Sequence, residues 1–151
     1  MNLSRFIAQW THPDFAPDPV VESELEDTES RLKTRLPAEY RKAIVQFGLP
    51  RPTSALLEAI VDQELGLRDV SDFLSPSEIV SVTEDWRELG LPVQFVAFAT
   101  DCMGNLFCFP KNSEASDGLP VFYFNHDSGA VDMIASTFSQ WIDEFCSVTL
   151  N

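Results

Sequence analysis

Three short apolar runs in the second half of the chain dominate its hydrophobic pattern. They cover residues 93–99, 106–109 and 121–124. Apart from Gln94, each run is apolar at consecutive positions and is rich in phenylalanine or valine, which is typical of strands buried on both faces of a sheet. Gly104 and Asn105 tolerate positive φ and separate the first two runs, so these runs are predicted to form an antiparallel hairpin. The third run is predicted to pair beside them.

The aromatic residues of these runs are predicted to form most of the core. Six phenylalanines could instead line a ligand pocket, but alternating aromatic side chains on strands are much more often core. We therefore expect Phe107 and Phe122 to be buried.

Helical periodicity and capping residues occur before the predicted hairpin. Ser23 with Glu26 has the spacing of a capping box. Ser75, Pro76 and Glu78 fit the N-cap, N1 and N3 positions of another helix. The apolar stripe predicted to face the core in that helix consists of Ile79, Val82, Trp86 and Leu89.

Three more helices are predicted from apolar spacing and terminal signals. Their signals are, in chain order, Phe6 with Trp10, Pro37 to Gly48, and a cap at Ser136 or Thr137. The apolar segment 55–61 fits either a helix or a strand. Together these patterns predict an α+β domain in which helices flank a mostly antiparallel sheet.

Four short motifs occur in a characteristic order along the chain. They are LPAEY at 36–40, FVAFATDCMGNLFCF at 95–109, VFYFNHD at 121–127 and STF at 136–138. The second resembles the central signature of the SUKH superfamily, which contains the yeast Smi/Knr-like proteins and bacterial relatives. The third is similar to an aromatic strand of that family that ends in His-Asp. The resemblance covers about residues 22–145 and implies an α+β fold with an antiparallel sheet.

The resemblance implies protein binding rather than catalysis. Bacterial SUKH proteins are typically immunity proteins that bind a cognate toxin, often a nuclease, and block it. The leading hypothesis is therefore an immunity protein that neutralises a polymorphic or contact-dependent toxin. The alternative is a regulatory or scaffold module without a toxin partner, as in the eukaryotic relatives.

The length and composition predict one globular domain. A single SUKH-like domain is expected over residues 1–151, with a leader at 1–20 that contains a short helix and a core at 22–147. No cofactor or disulfide is needed at this length. The three cysteines, Cys102, Cys108 and Cys146, are expected to be reduced core thiols. Reduced thiols indicate a cytoplasmic location. We expect neither a membrane span nor a secretory signal.

The net charge of −14 at pH 7 is the strongest compositional signal. Charge of this sign repels nucleic acid and anionic membranes, and it speeds encounter with a basic protein such as a toxin. The alternative is that the charge serves solubility alone. The acidic residues proposed as a partner surface lie in two stretches and are Glu22, Glu24, Glu26, Asp27, Glu29, Asp62, Glu64, Asp69 and Asp72.

One constellation could carry chemistry if the hairpin tip lies beside the end of the third strand. It comprises Asp101, Gly104, Asn105, His126 and Asp127. Its carboxylates and imidazole could form a metal site or an acid–base pair, and Cys102 could pair with the imidazole. The favoured interpretation is a structural turn, because Asp and Asn side chains bond to nearby backbone N–H groups. A metal-binding or hydrolytic enzyme is the least favoured hypothesis.

Overall fold

The computed structural model describes residues 2–149. Within this range the elements are α1 (Asn2–Trp10), α2 (Glu22–Leu32), α3 (Ala38–Phe47), α4 (Ser54–Asp62), β1 (Asp72–Phe73), α5 (Pro76–Arg87), β2 (Phe95–Thr100), β3 (Leu106–Pro110), β4 (Val121–Phe124), β5 (Val131–Ala135) and α6 (Phe138–Cys146).

The strands form one antiparallel sheet in the order β1-β2-β3-β4-β5. This arrangement confirms the α+β class and the three adjacent central strands. The predicted start of the first strand is wrong, because the Phe95 N–H bonds to the Pro92 carbonyl in a turn that contains Val93. The edge strands β1 and β5 were not predicted, since one has two residues and the other exposes Asp132 and Met133.

One face of the sheet carries an aromatic core beneath α1, α3 and α6. Trp141 of α6 lies at its centre, with its ring centroid 4.8 Å from that of Phe107 and 5.4 Å from that of Phe98. Tyr40 of α3 packs against Phe98 and Phe109. The buried aromatic residues confirm the core prediction with one correction, because Phe122 is only partly buried.

The other face of the sheet packs against α5, which begins as predicted. The Ser75 hydroxyl accepts the Glu78 N–H, the Glu78 carboxylate accepts the Ser75 N–H, and Pro76 occupies the first turn. The predicted core stripe is wrong in part. Its member Ile79 is buried, but the other buried positions are Pro76, Val80 and Thr83, whereas Val82 and Trp86 are half-buried and Leu89 is 70% exposed.

Thr83 explains this rotation of α5. Its hydroxyl accepts the Ala97 N–H at 3.0 Å, at the point where the pairing of β2 with β3 is shifted by a bulge. A buried N–H without a partner is costly, so this bond fixes which side of the helix meets the sheet. A polar residue thereby takes a position that hydrophobic periodicity would leave outside the core.

The remaining helices confirm some predicted boundaries and correct others. The predicted Ser23 cap is wrong, because the N-cap is Val21, two residues earlier, and its N–H is accepted by the carboxylate of Glu24. The ambiguous segment 55–61 belongs to α4, after a cap by Thr53. The last helix is capped by Thr137, whose hydroxyl accepts the Gln140 N–H.

The cysteines occupy two kinds of position. Cys108 and Cys146 are buried free thiols, as predicted, and burial raises the pKa of both. The prediction for Cys102 is wrong, because this residue lies exposed in the β2–β3 turn.

Candidate functional site

The β2–β3 turn is built around the buried carboxylate of Asp101. Its Oδ1 accepts the backbone N–H groups of Met103 and Asn105, each at 2.9 Å. Its Oδ2 accepts the Asn105 side-chain amide at 3.1 Å and the Tyr123 hydroxyl at 2.6 Å. Gly104 closes the turn with a φ of 83°, which favours glycine. Four donors therefore occupy the acceptor positions of this carboxylate.

Asn105 connects this turn to the turn that follows β4. Its side-chain oxygen accepts the His126 backbone N–H at 3.0 Å and lies 2.7 Å from His126 Nδ1. Because an amide oxygen only accepts, the proton of this second contact is on Nδ1. The His126 ring also lies 5.5 Å from the ring of Trp86, and its Nε2 lies 3.3 Å from the exposed carboxylate of Asp127.

Asp69 supports the same turn from the segment before β1. Its carboxylate accepts the Cys102 N–H at 3.2 Å, and burial raises the pKa of the Asp69 carboxyl. Cys102 is exposed as a residue, but two effects raise the pKa of its thiol. The larger is partial desolvation, and the smaller is the neighbouring Asp69 carboxylate. A raised thiol pKa disfavours the thiolate that nucleophilic chemistry requires.

The predicted constellation is therefore only partly brought together. Asp101 reaches His126 through Asn105 rather than by direct contact, and Asp127 points outward. Within residues 2–149, no group of three His, Cys, Asp or Glu side chains could hold a metal ion. These contacts support the structural interpretation of the cluster, whose role stays a prediction. The sequence missed Tyr123 and Asp69, because neither is near the turn in the chain.

Both tyrosines of the chain are predicted to resist ionisation in the folded protein. Burial first, and then the bond to Asp101, raise the pKa of Tyr123 to about 12, and burial also raises the pKa of Tyr40. The folded state thus favours the protonated phenols. The stabilising effect of the Tyr123 phenol is fully present below the unfolded pKa of about 10 and is lost as pH rises through the folded pKa of about 12.

Absorbance at 295 nm checks this expectation. Between pH 10 and 11 the native protein should show little phenolate signal, whereas protein in urea should titrate near pH 10. A Tyr123→Phe variant isolates the contribution of the residue at the hairpin. A native protein in which both phenols titrate near pH 10 would contradict the contacts described for Tyr123 and Tyr40.

Comparison with known protein families matches most of the chain to one family. Residues 19–144 match the model of the SMI1 / KNR4 family (SUKH-1). The chain belongs to this family. No curated protein matches the chain. SUKH membership confirms the resemblance found in the sequence and supports an immunity-protein or Smi1/Knr4-like module that interacts with proteins.

The first acidic stretch of this SUKH domain is largely paired within the molecule. Glu22 contacts Arg41 at 2.6 Å, and Asp27 contacts Arg31 at 3.0 Å. Placing Glu29 on an open acidic surface is wrong, because it is 6% exposed, pairs with Arg35 and Arg41 and accepts the Leu36 N–H.

The second acidic stretch is divided in the same way. Placing Asp69 on the surface is also wrong, since it is buried beneath the hairpin turn. Asp62, Glu64 and Asp72 are exposed, as is Glu26 of the first stretch. The exposed members of the two stretches stay a predicted partner surface. No helix within residues 2–149 has the length and apolar character needed to cross a membrane.

Proposed function

We propose that this SUKH domain binds and neutralises a cognate bacterial toxin, such as a nuclease, without catalysing a reaction. The observation that carries the proposal is the family match over residues 19–144. The same match also accommodates a Smi1/Knr4-like regulatory module, whose partner would be bound without being inhibited.

The charge of the chain supports a basic partner. Twenty-four acidic residues against ten basic ones give a net charge of −14. A surface of this charge competes with a polyanionic substrate for a basic nuclease surface and raises the rate of encounter. We place this encounter in the cytoplasm, where the buried thiols of Cys108 and Cys146 would stay reduced.

The contacts of the hairpin turn support binding rather than catalysis. The Asp101 carboxylate is occupied by four donors, and the raised pKa of the Cys102 thiol disfavours a nucleophile. The four bonds to Asp101 suit a rigid surface that changes little on binding.

A salt titration with any toxin encoded beside this gene tests the proposal. Association measured by stopped flow should slow at least tenfold between about 0.05 M and 0.5 M salt, because exposed charges are screened. The bound toxin should lose its activity at one equivalent of the SUKH domain. If association is equally fast at both salt concentrations, the charge serves solubility alone. If binding leaves the toxin active, a regulatory module is the better description.

A further inference from the structure

One flank of α5 is apolar but is left partly uncovered. Val82 and Trp86 of α5 and Leu89, in the turn just after its last residue, have the i, i+4, i+7 spacing of a single stripe. The ring centroid of Trp86 lies 6.1 Å from that of Phe124, so this stripe borders β4. Val82 and Trp86 are only partly buried, and Leu89 is 70% exposed. The apolar stripe of an amphipathic helix is normally buried against the core. Here, nothing within residues 2–149 buries Leu89.

The sheet face beside this stripe becomes more exposed from β2 towards β5. Direct cross-strand pairs place Ala97, Cys108, Phe122 and Met133 on the same face of β2, β3, β4 and β5. The first two are fully buried, Phe122 is partly buried, and Met133 is 63% exposed. The layer formed by α5 therefore ends over β4, and the face of β5 is open.

The helix stripe and the open strands form one surface, which we call the outer apolar face. Phe124 joins the two parts, because it contacts Trp86 and pairs with Val131 of β5. The residues of the outer apolar face are Val82, Trp86, Leu89, Phe122, Val131 and Met133. Contiguous exposed apolar surface marks interaction sites, and aromatic residues and methionine are enriched at the centres of protein interfaces.

The charges around the outer apolar face are acidic and uncompensated. Asp85 precedes Trp86 in α5, and Asp127 lies beside His126, whose ring centroid is 5.5 Å from that of Trp86. Both are exposed, and neither forms an ion pair with a lysine or arginine of the described chain. In contrast, Glu22 and Asp27 of α2 are paired with arginines. The sequence has no lysine or arginine after Lys111.

These charges determine which occupant the face can take. A second copy of the chain would bring the same acidic rim and a net charge of −14, so the two copies would repel. A basic protein surface with apolar side chains at its centre would instead complement both the rim and the middle of the face.

We propose that the outer apolar face is the surface through which the SUKH domain binds its toxin. This proposal rests on the proposed function. The toxin would place basic side chains opposite Asp85 and Asp127 and bury apolar side chains against Met133 and Leu89.

Paired substitutions test the location of the interface, with any toxin encoded beside this gene as the probe. Met133→Glu and Leu89→Glu should each weaken binding at least tenfold, chiefly through faster dissociation. The matched control is Val61→Glu on α4, because Val61 is also 63% exposed and apolar. It should change affinity less than twofold. Circular dichroism melting should show that all three variants fold.

A second pair tests the charges of the rim. Asp85→Lys and Glu26→Lys change the net charge equally, and both positions are exposed on helices. Asp85→Lys should slow association at least threefold more than Glu26→Lys does, because local charges act on the encounter. If Glu26→Lys has the larger effect, the acidic stretch of α2 is the interface and the proposal is wrong.

The outcomes separate the location from the function. If the wild-type domain binds the toxin and Met133→Glu and Leu89→Glu bind it equally well, the location is wrong while the proposed function stands. A Val61→Glu variant that weakens binding as much as Met133→Glu would also overturn the location. If the wild-type domain does not bind the toxin at all, the proposed function fails, and this inference fails with it.

Discussion

Replacing Trp141 with alanine is expected to lower the free energy of unfolding by about 3–5 kcal/mol. Trp141 is 1% exposed and joins α6 to the sheet. Its ring centroid lies 4.8 Å from that of Phe107, 5.4 Å from that of Phe98 and 5.2 Å from that of Phe145. Truncation would leave a cavity in an aromatic cluster that cannot easily collapse, because strands and helices hold its walls.

Urea unfolding followed by far-ultraviolet circular dichroism measures this loss. The control is Val61→Ala, an exposed position on α4 that should change stability by no more than about 0.5 kcal/mol. Binding by Trp141→Ala should fall only in proportion to the unfolded fraction. A loss of less than about 1 kcal/mol would show that Trp141 is not at the centre of the core.

Replacing Asp101 with alanine is the second large change expected, with a loss of about 3 kcal/mol or more. The substitution removes the acceptor of the Met103 and Asn105 N–H groups and of the Tyr123 hydroxyl. Asp101 and Asn105 are buried, so these donors are not all replaced by water. The β2–β3 turn and its link to His126 should loosen together.

The variants Asp101→Asn and Tyr123→Phe separate the contributions at this turn. Asparagine keeps one oxygen acceptor of similar shape and should lose less stability than alanine does. Tyr123→Phe removes a single hydrogen bond and should cost about 0.5–1.5 kcal/mol, or up to about 3 kcal/mol because the acceptor is charged. Amide exchange at Asn105 and His126 should accelerate most in Asp101→Ala. If Asp101→Ala is as stable as the wild type, the turn does not depend on this carboxylate.

The features that could be predicted from the sequence are those governed by local pattern. The three central strands have consecutive apolar residues, and α5 has a capping box at Ser75 and Glu78 whose bonds are formed. Gly104 permits the left-handed conformation that the hairpin turn adopts. These signals depend on residues a few positions apart, so no long-range contact is needed to interpret them.

The features that escaped prediction depend on contacts between distant segments. The rotation of α5 is fixed by the bond between Thr83 and Ala97, which hydrophobic periodicity ignores. Glu29 and Asp69 resemble solvated acids in the sequence. In the structure, Glu29 forms ion pairs with two arginines, and Asp69 accepts the Cys102 N–H. The sequence also does not distinguish the outer apolar face from the core. Leu89 and the buried Ile79 belong to the same predicted apolar stripe, although Leu89 is exposed.

Co-expression with any toxin encoded beside this gene tests most directly the claim that the chain is an immunity protein. Cells that produce the toxin should grow only when this SUKH domain is produced with it. Protection should be lost with Met133→Glu combined with Leu89→Glu and kept with Val61→Glu, at equal protein levels. Growth arrest that wild-type SUKH domain does not relieve, despite full expression of both proteins, would contradict the account.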